Sequence, residues 1–411
     1  MLKKIIALIL LSVLAIMAVG CTANNQTDPI ETNTPAQTNA PEETGQPVAL
    51  ENPFVITDES GAELGKIDNR ANFTAVDGGL FYSVLTLEEY SFTGTAEYRF
   101  FSLKDDSDVL LGRLEDQGYE AGFARTELSG VVYTLAVQGN PAGGAPVPLL
   151  LLAFDIANKT MKTYTVSEYG FPYAYMAASD GKLLIMNHET STDKAEKIYE
   201  FDPGTEEIRE LLTFDSSVDS LRGVCAAENG FYLLRLKLSG GSENDMFIDR
   251  YDENGVKVSE QSVGDILIRA ITEVPAILDR QDASGQLGIN VSRFAVTDGR
   301  YLVYENFSVS RVVIDLQTGE TILAVDDNYS VSVGSGGPVI FRLGFDAQDV
   351  QEPELIVIEN GEAVLLPFTP DGAHRLIQCV TVSESGLWAV LMTDDYPTQN
   401  ASGMIRVWSA K

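Results

Sequence analysis

One phrase returns seven times between residues 76 and 388: a small apolar strand, a tight polar turn closing on glycine, then an aromatic or aliphatic strand. It reads Val76-Asp77-Gly78-Gly79-Leu80-Phe81-Tyr82, Leu128-Ser129-Gly130-Val131-Val132-Tyr133, Ser179-Asp180-Gly181-Lys182-Leu183-Leu184 and Glu228-Asn229-Gly230-Phe231-Tyr232. It reads again as Thr297-Asp298-Gly299-Arg300-Tyr301-Leu302, Gly334-Ser335-Gly336-Gly337-Pro338-Val339 and Glu384-Ser385-Gly386-Leu387-Trp388. With Gly78, Gly130, Gly181, Gly230, Gly299, Gly336 and Gly386 as markers, the intervals are 52, 51, 49, 69, 37 and 50 residues, so four of six agree within three. A recurring period of that length is the signature of repeated supersecondary units, each too small to bury its own apolar face.

A second phrase lies between the copies of the first: an alternating strand, an acidic residue, a turn and another strand. Its copies include Phe154-Asp155-Ile156-Ala157-Asn158-Lys159, Phe201-Asp202-Pro203-Gly204, Tyr251-Asp252-Glu253-Asn254-Gly255, Ile314-Asp315-Leu316-Gln317-Thr318-Gly319 and Ile358-Glu359-Asn360-Gly361. Asp at the head of such a turn bonds the backbone two residues on, and Gly takes positive φ without steric cost, so these acids need no metal to explain them. Two hairpins per ~50 residues make a four-stranded antiparallel unit, and radial repetition of that unit is a propeller. The fold class expected is all-β, a seven-bladed β-propeller of four-stranded antiparallel blades. Its last blade is short of a strand: Ile405-Arg406-Val407-Trp408 supplies the third, and the segment Phe54 to Ile67 reads as an orphan hairpin, part of which is expected to complete that blade and close the ring. A pair of β-sandwiches is the structural rival, because alternation alone fits any antiparallel sheet. The repeated phrase resembles the Asp-Gly-x-Leu-Tyr strand turns of bacterial surface propellers, including lipoproteins of Gram-positive organisms. That resemblance covers about residues 52–411 and implies fold rather than activity.

The N-terminus reads differently. Lys3 and Lys4 precede an apolar run from Ile5 to Val19 broken only by Ser12, the pattern of a secretory signal. As a helix the run spans roughly 22 Å, short of the ~30 Å hydrocarbon core. Ala18-Val19-Gly20-Cys21 resembles the lipobox of bacterial lipoproteins, which implies cleavage before Cys21 and diacylglycerol on its sulfur. The alternative is an ordinary signal peptide ending near a cysteine. Several acyl chains at about 0.8 kcal/mol per buried methylene hold a protein on a membrane where one chain does not. Residues 22 to 52 are Thr, Asn, Gln, Pro, Glu and Ala with almost no large apolar side chain, a composition that cannot bury enough surface to fold. The organisation expected is therefore a signal peptide at 1–20, a lipidated tether at 21–51 and a β-propeller domain at 52–411, displayed outside the cell membrane, with a Gram-positive surface favoured by the long polar tether.

Charge narrows the partners. Without residues 1–20 the chain carries 26 basic against 60 acidic residues, a formal charge of −34. Nucleic acid is excluded, since phosphate-tracking proteins need clustered Lys and Arg. Besides Cys21 there are only Cys225 and Cys379, both in apolar strand-like runs, too few for a disulfide framework. Free core thiols are the expectation for both, with a single bridge as the alternative.

Catalytic and metal motifs are missing from the sequence. There are two histidines, His188 and His374, with no paired-His zinc motif, no phosphate-binding loop and no Gly-x-Ser-x-Gly elbow. No catalytic residue, metal or cofactor is therefore assigned. In an up-and-down blade, first-to-second and third-to-fourth turns lie at one end, and second-to-third and blade-to-blade links at the other. The tight Gly turns fall in the first class and the long connections in the second: 88–95, 139–148, 188–196, 239–245, 265–290, 346–353 and 393–403. Ligand contacts are expected at the long-loop end. The candidates there are Tyr169, Phe171, Tyr173 and Tyr175, the densest aromatic run outside the strands, with His188 and with Asp394, Asp395 and Tyr396. Aromatics so placed suit a sugar or a peptide, and packing between blades is their other explanation. The function expected is a non-catalytic binding or scaffolding module for a glycan, peptide or envelope protein. A propeller hydrolase or lyase acting on extracellular polysaccharide is the alternative, because carboxylate pairs are a property of the fold. An envelope-assembly role is a second alternative.

Overall fold

The computed structural model describes residues 53–409 apart from 68–71, 88–93, 140–146, 171–173, 190–194, 239–244, 273–290, 307–309, 335, 344–351, 369–373, 375 and 395–402. Cys21 and the segments expected to be signal and tether lie outside the described residues, as do Phe171, Tyr173, Asp395, Tyr396 and most of the long connections.

The described chain is all-β apart from one helix. Four sheets hold four strands each, in sequence order: 175–215, 219–262, 291–326 and 329–366. A seven-stranded sheet covers 72–167. Its middle strand, Asp108–Leu128, pairs with the preceding strand through residues 108–117 and with the following one through 117–128. That sheet is thus two four-stranded units sharing a strand. The remaining sheet joins Leu376–Val382, Leu387–Thr393 and Gly403–Ser409 to Phe54–Thr57 and Glu63–Ile67. Numbered along the chain, units 1 and 2 share the long strand, units 3 to 6 are the separate sheets and unit 7 is this mixed one. The sheets of four strands fit propeller blades.

Burial explains why each unit has this grading. Second and third strands are apolar on both faces, as in Leu149–Asp155 and Gly230–Lys237, where all but the last residue are buried. Fourth strands such as Lys257–Ser262 are mostly exposed. A strand apolar on both faces must be covered twice, and here neighbouring units supply the cover. Leu184 and Met186 of unit 3 cluster with Val224, Phe231 and Leu233 of unit 4. Val339 and Phe341 of unit 6 meet Val390 and Met392 of unit 7, and Leu387 and Ile405 of unit 7 meet Phe73 and Leu80 of unit 1.

Turn chemistry follows the sequence phrases. Ser129-Gly130 and Asp180-Gly181 take positive φ at both central residues, the mirror-image turn that matches strand twist. Asp202, Asp252 and Asp315 accept the N–H groups of Gly204, Asn254 and Gln317 at 2.8, 2.9 and 2.8 Å. The helix, Gly264–Thr272, lies in the connection read from sequence as irregular and accounts for part of its 69-residue interval. Leu267, Ala270 and Ile271 sit three and four apart and bury against Tyr304, Val312 and Ile314 of unit 5.

The N-terminal hairpin pairs with unit 7, both of its strands included. Phe54–Thr57 runs parallel to Gly403–Ser409, with Val55 opposite Met404 and Thr57 opposite Arg406, and Glu63–Ile67 forms the outer edge. One strand was expected there, and a hairpin is found.

Candidate functional site

From unit 2 round to unit 1, the first strand of each unit lies beside the first strand of the next, and hydrogen bonds tie neighbouring units. Ser179 Oγ donates to Gly230 O at 2.5 Å between units 3 and 4. Gly336 N–H donates to Val382 O at 3.1 Å between units 6 and 7. Ala75 N–H donates to Thr381 Oγ1 at 2.7 Å between units 1 and 7. Asp77 N–H donates to Glu127 Oε2 at 3.1 Å between units 1 and 2. Three of these ties sit at or beside the Gly turns, so those turns share one end of the molecule; the strand ends that lead into the long connections share the other.

Three candidates lie at the long-loop end of unit 3. His188 Nδ1 lies 2.8 Å from Glu196 Oε1, its partner in register on the neighbouring strand. Glu196 is buried, and its other oxygen accepts the Leu221 N–H of unit 4. The Tyr169 carbonyl accepts Asn187 Nδ2 at 2.8 Å, next to His188. Tyr175 opens the first strand of unit 3 and packs against the apolar cluster between units 3 and 4, which is the packing role. Asp394 is exposed at the same end of unit 7.

Inner-strand cations were missed by the sequence reading. Arg125 of unit 2 stands 5.2 Å over the Phe81 ring and donates through Nη2 to Ser83 Oγ of unit 1 at 2.6 Å. Arg293 of unit 5 donates to Ser330 Oγ at 3.3 Å and to the Val331 carbonyl, both in unit 6. Glu305, also in unit 5, accepts the Val331 N–H at 3.0 Å and pairs with buried Arg311 at 3.1 Å. Burial pulls the Arg311 guanidinium below its ordinary range, and its Nε and Nη1, like Ser310 Oγ, are buried without a hydrogen-bond partner. Such a pair is weak evidence for stability, because desolvation offsets the Coulomb gain. Cys225 and Cys379 are unbridged. Burial pushes their thiols up to about 12 and about 11, the second opposed by the charges of Arg293 and Arg125. Thiols held protonated are poor nucleophiles and poor metal ligands.

At the tight-turn end a carboxyl cluster forms. Glu127 is 3% exposed. Burial, with the charges of Asp77 and Glu384 beside it, pushes it up to about 7, opposed by the Asp77 N–H bond. A glutamate three residues before Gly130, in a strand end otherwise expected to be apolar, is the signal that marks it in the sequence. Among the described residues, no three His, Cys, Asp or Glu side chains are grouped to hold a metal ion.

No family model and no curated protein matches the chain. Similar solved structures include the β-propeller domain of the Trilobed protease from Pyrococcus furiosus, at 10% identity over 71% of this chain and 82% of that one, TM-score 0.44. The WD40 β-propeller domain of Doa1 aligns at 15% identity over 82% and 92%, TM-score 0.44. An oligogalacturonate lyase from Vibrio parahaemolyticus aligns at 14% identity over 82% and 96%, TM-score 0.44. Sheet topology and burial, not likenesses of this strength, carry the account of the fold.

Proposed function

We propose that this chain is a bacterial lipoprotein, exported through residues 1–20, lipidated on Cys21 and tethered by residues 21–51, whose remaining residues close into a seven-bladed β-propeller. The propeller acts as a non-catalytic binding or scaffolding module at the extracytoplasmic face of the membrane, recognising a glycan, peptide or envelope protein through its long-loop end. Support for closure comes from the packing of unit 7 on unit 1 and from the succession of neighbouring first strands. The observation that carries the binding reading is where the ionisable inner side chains are engaged. Glu196, Glu305, Arg293 and Arg125 each tie one unit to the next, and His188 is held by Glu196. Groups fixed in such ties build a rigid platform for loops.

The test is a soluble domain, residues 48–411, screened on arrays of glycans and envelope peptides, with product analysis on extracellular polysaccharides run in parallel. Saturable capture without new reducing ends or unsaturated sugars is expected. A second reading, hydrolase or lyase, rests on Glu127, whose near-neutral carboxyl suits a general acid. Product formation that Glu127→Gln abolishes would replace the binding reading with this one.

A further inference from the structure

The N-terminal hairpin decides which end of the molecule the tether leaves from. In units 3 to 6 the fourth strand runs antiparallel to the third. A lone N-terminal strand completing unit 7 in that way would begin at the tight-turn end. Phe54–Thr57 instead runs parallel to Gly403–Ser409. Gly403 pairs with Thr393 at the long-loop end, and Ser409 with Leu387 at the tight-turn end. The chain therefore enters at the long-loop end, where the Phe54 ring occupies the space left by Gly403; a Cβ on Gly403 would sit 2.4 Å from that ring. Glu63–Ile67 then returns to the same end to feed unit 1.

This inference rests on the lipid-anchor reading above. About 30 residues separate Cys21 from Phe54, a flexible coil with a root-mean-square reach near 30 Å. A nine-residue strand is about as long, at ~3.4 Å per residue. A partner at the tight-turn end would thus stand a further sheet length from the membrane, and its effective concentration there would fall accordingly. Anionic lipid is a poor occupant of the long-loop end, which exposes Asp116, Glu168, Asp215 and Asp394. Beside Asp215, Val218 and Leu238 are 38% and 42% exposed, joined by a 2.6 Å bond from Leu238 N–H to the Val218 carbonyl. Asp215 beside this accessible apolar pair, with the three other acids at the same end, complements a basic protein surface.

We propose that the hairpin turns the long-loop end toward the anchoring membrane, and that the partner docked there is a protein held in the same membrane and presenting a basic extracytoplasmic surface. The test uses the full-length lipidated protein in phosphatidylcholine vesicles that carry a lipid-anchored, nitroxide-labelled oligolysine peptide as stand-in. A fluorophore is placed through Glu168→Cys at the long-loop end or Glu253→Cys at the tight-turn end. Quenching at position 168 with little at 253 is expected, and it should persist when residues 22–44 are removed. An anchor moved to the C-terminus, beyond Ser409, should reverse the preference. Equal quenching at both positions overturns the orientation. Quenching at neither overturns the basic partner class. Failure of the protein to associate with vesicles at all overturns the anchor reading beneath both.

Discussion

Units 1 and 2 are joined by one uninterrupted strand, Asp108–Leu128, whereas unit 7 is assembled from segments that lie about 350 positions apart in sequence and packs on unit 1 through its buried side chains. At the first junction the covalent chain crosses from unit to unit within one sheet, and Glu127 and Arg125 at its far end reach back into unit 1. At the second, a short parallel ladder and the buried side chains of Phe54, Ile56 and Ile67 do the work. Loop-closure entropy grows only slowly with length, so the distant pairing costs little more at equilibrium than a nearer one. Its weakness is different: the ladder to Gly403–Ser409 and the apolar contacts with unit 1 are made by the same short hairpin, so removing it loses both together.

Three experiments break or sharpen that contrast. Deleting residues 53–67 uncovers Leu391, Ile405 and Phe73 and leaves the Gly403–Ser409 edge unpaired. With three large side chains removed at ~2 kcal/mol or more each, the loss approaches the whole stability of a typical domain. The expected outcome, read by calorimetry and size exclusion, is loss of the cooperative transition and aggregation through the bare edge. A melting temperature within a few degrees of wild type would show that the hairpin is not the closing element.

A smaller effect is expected at the continuous junction. The Glu127 carboxyl titrates near 7 when folded, against about 4.3 when unfolded. Its folded value is raised, so its contribution is present below the unfolded value and lost as pH rises through about 7. Glu127→Gln keeps an acceptor for the Asp77 N–H and removes the titration. The variant should gain a few kcal/mol on wild type between pH 5 and pH 8, at about 1.4 kcal/mol per pKa unit, in urea titrations run as a pH series. A constant difference across that range would show that Glu127 is ionised throughout. Last, removing residues 22–48 should leave the melting temperature unchanged, because that composition contributes no core. A fall of several degrees would place the segment against the sheets.

Much of the architecture was legible because its determinants are local. Asp202, Asp252 and Asp315 bond their own turns two residues on, so each turn announces itself within four positions. The Gly markers fix where first and second strands meet. The helix at Gly264–Thr272 was not read, because nine residues inside a long irregular connection give only about two and a half turns of pattern. His188 was noticed and its partner was not. Glu196 stands eight positions away, and only the strand register puts the two side by side.

By itself, then, the sequence determined the repeat, the two hairpins per unit and the turn chemistry, all of which depend on residues within a few positions of each other. Only the tertiary structure decided that Asp108–Leu128 crosses two units, that Phe54–Thr57 runs parallel to the last strand, and that Glu127 meets Asp77 and Glu384. Those are choices among sheet edges and faces far apart in the chain, and sheet edges offer much the same backbone donors and acceptors to any strand. The selection between them is made by which apolar faces fit when all are packed at once, and no short stretch of sequence carries that comparison.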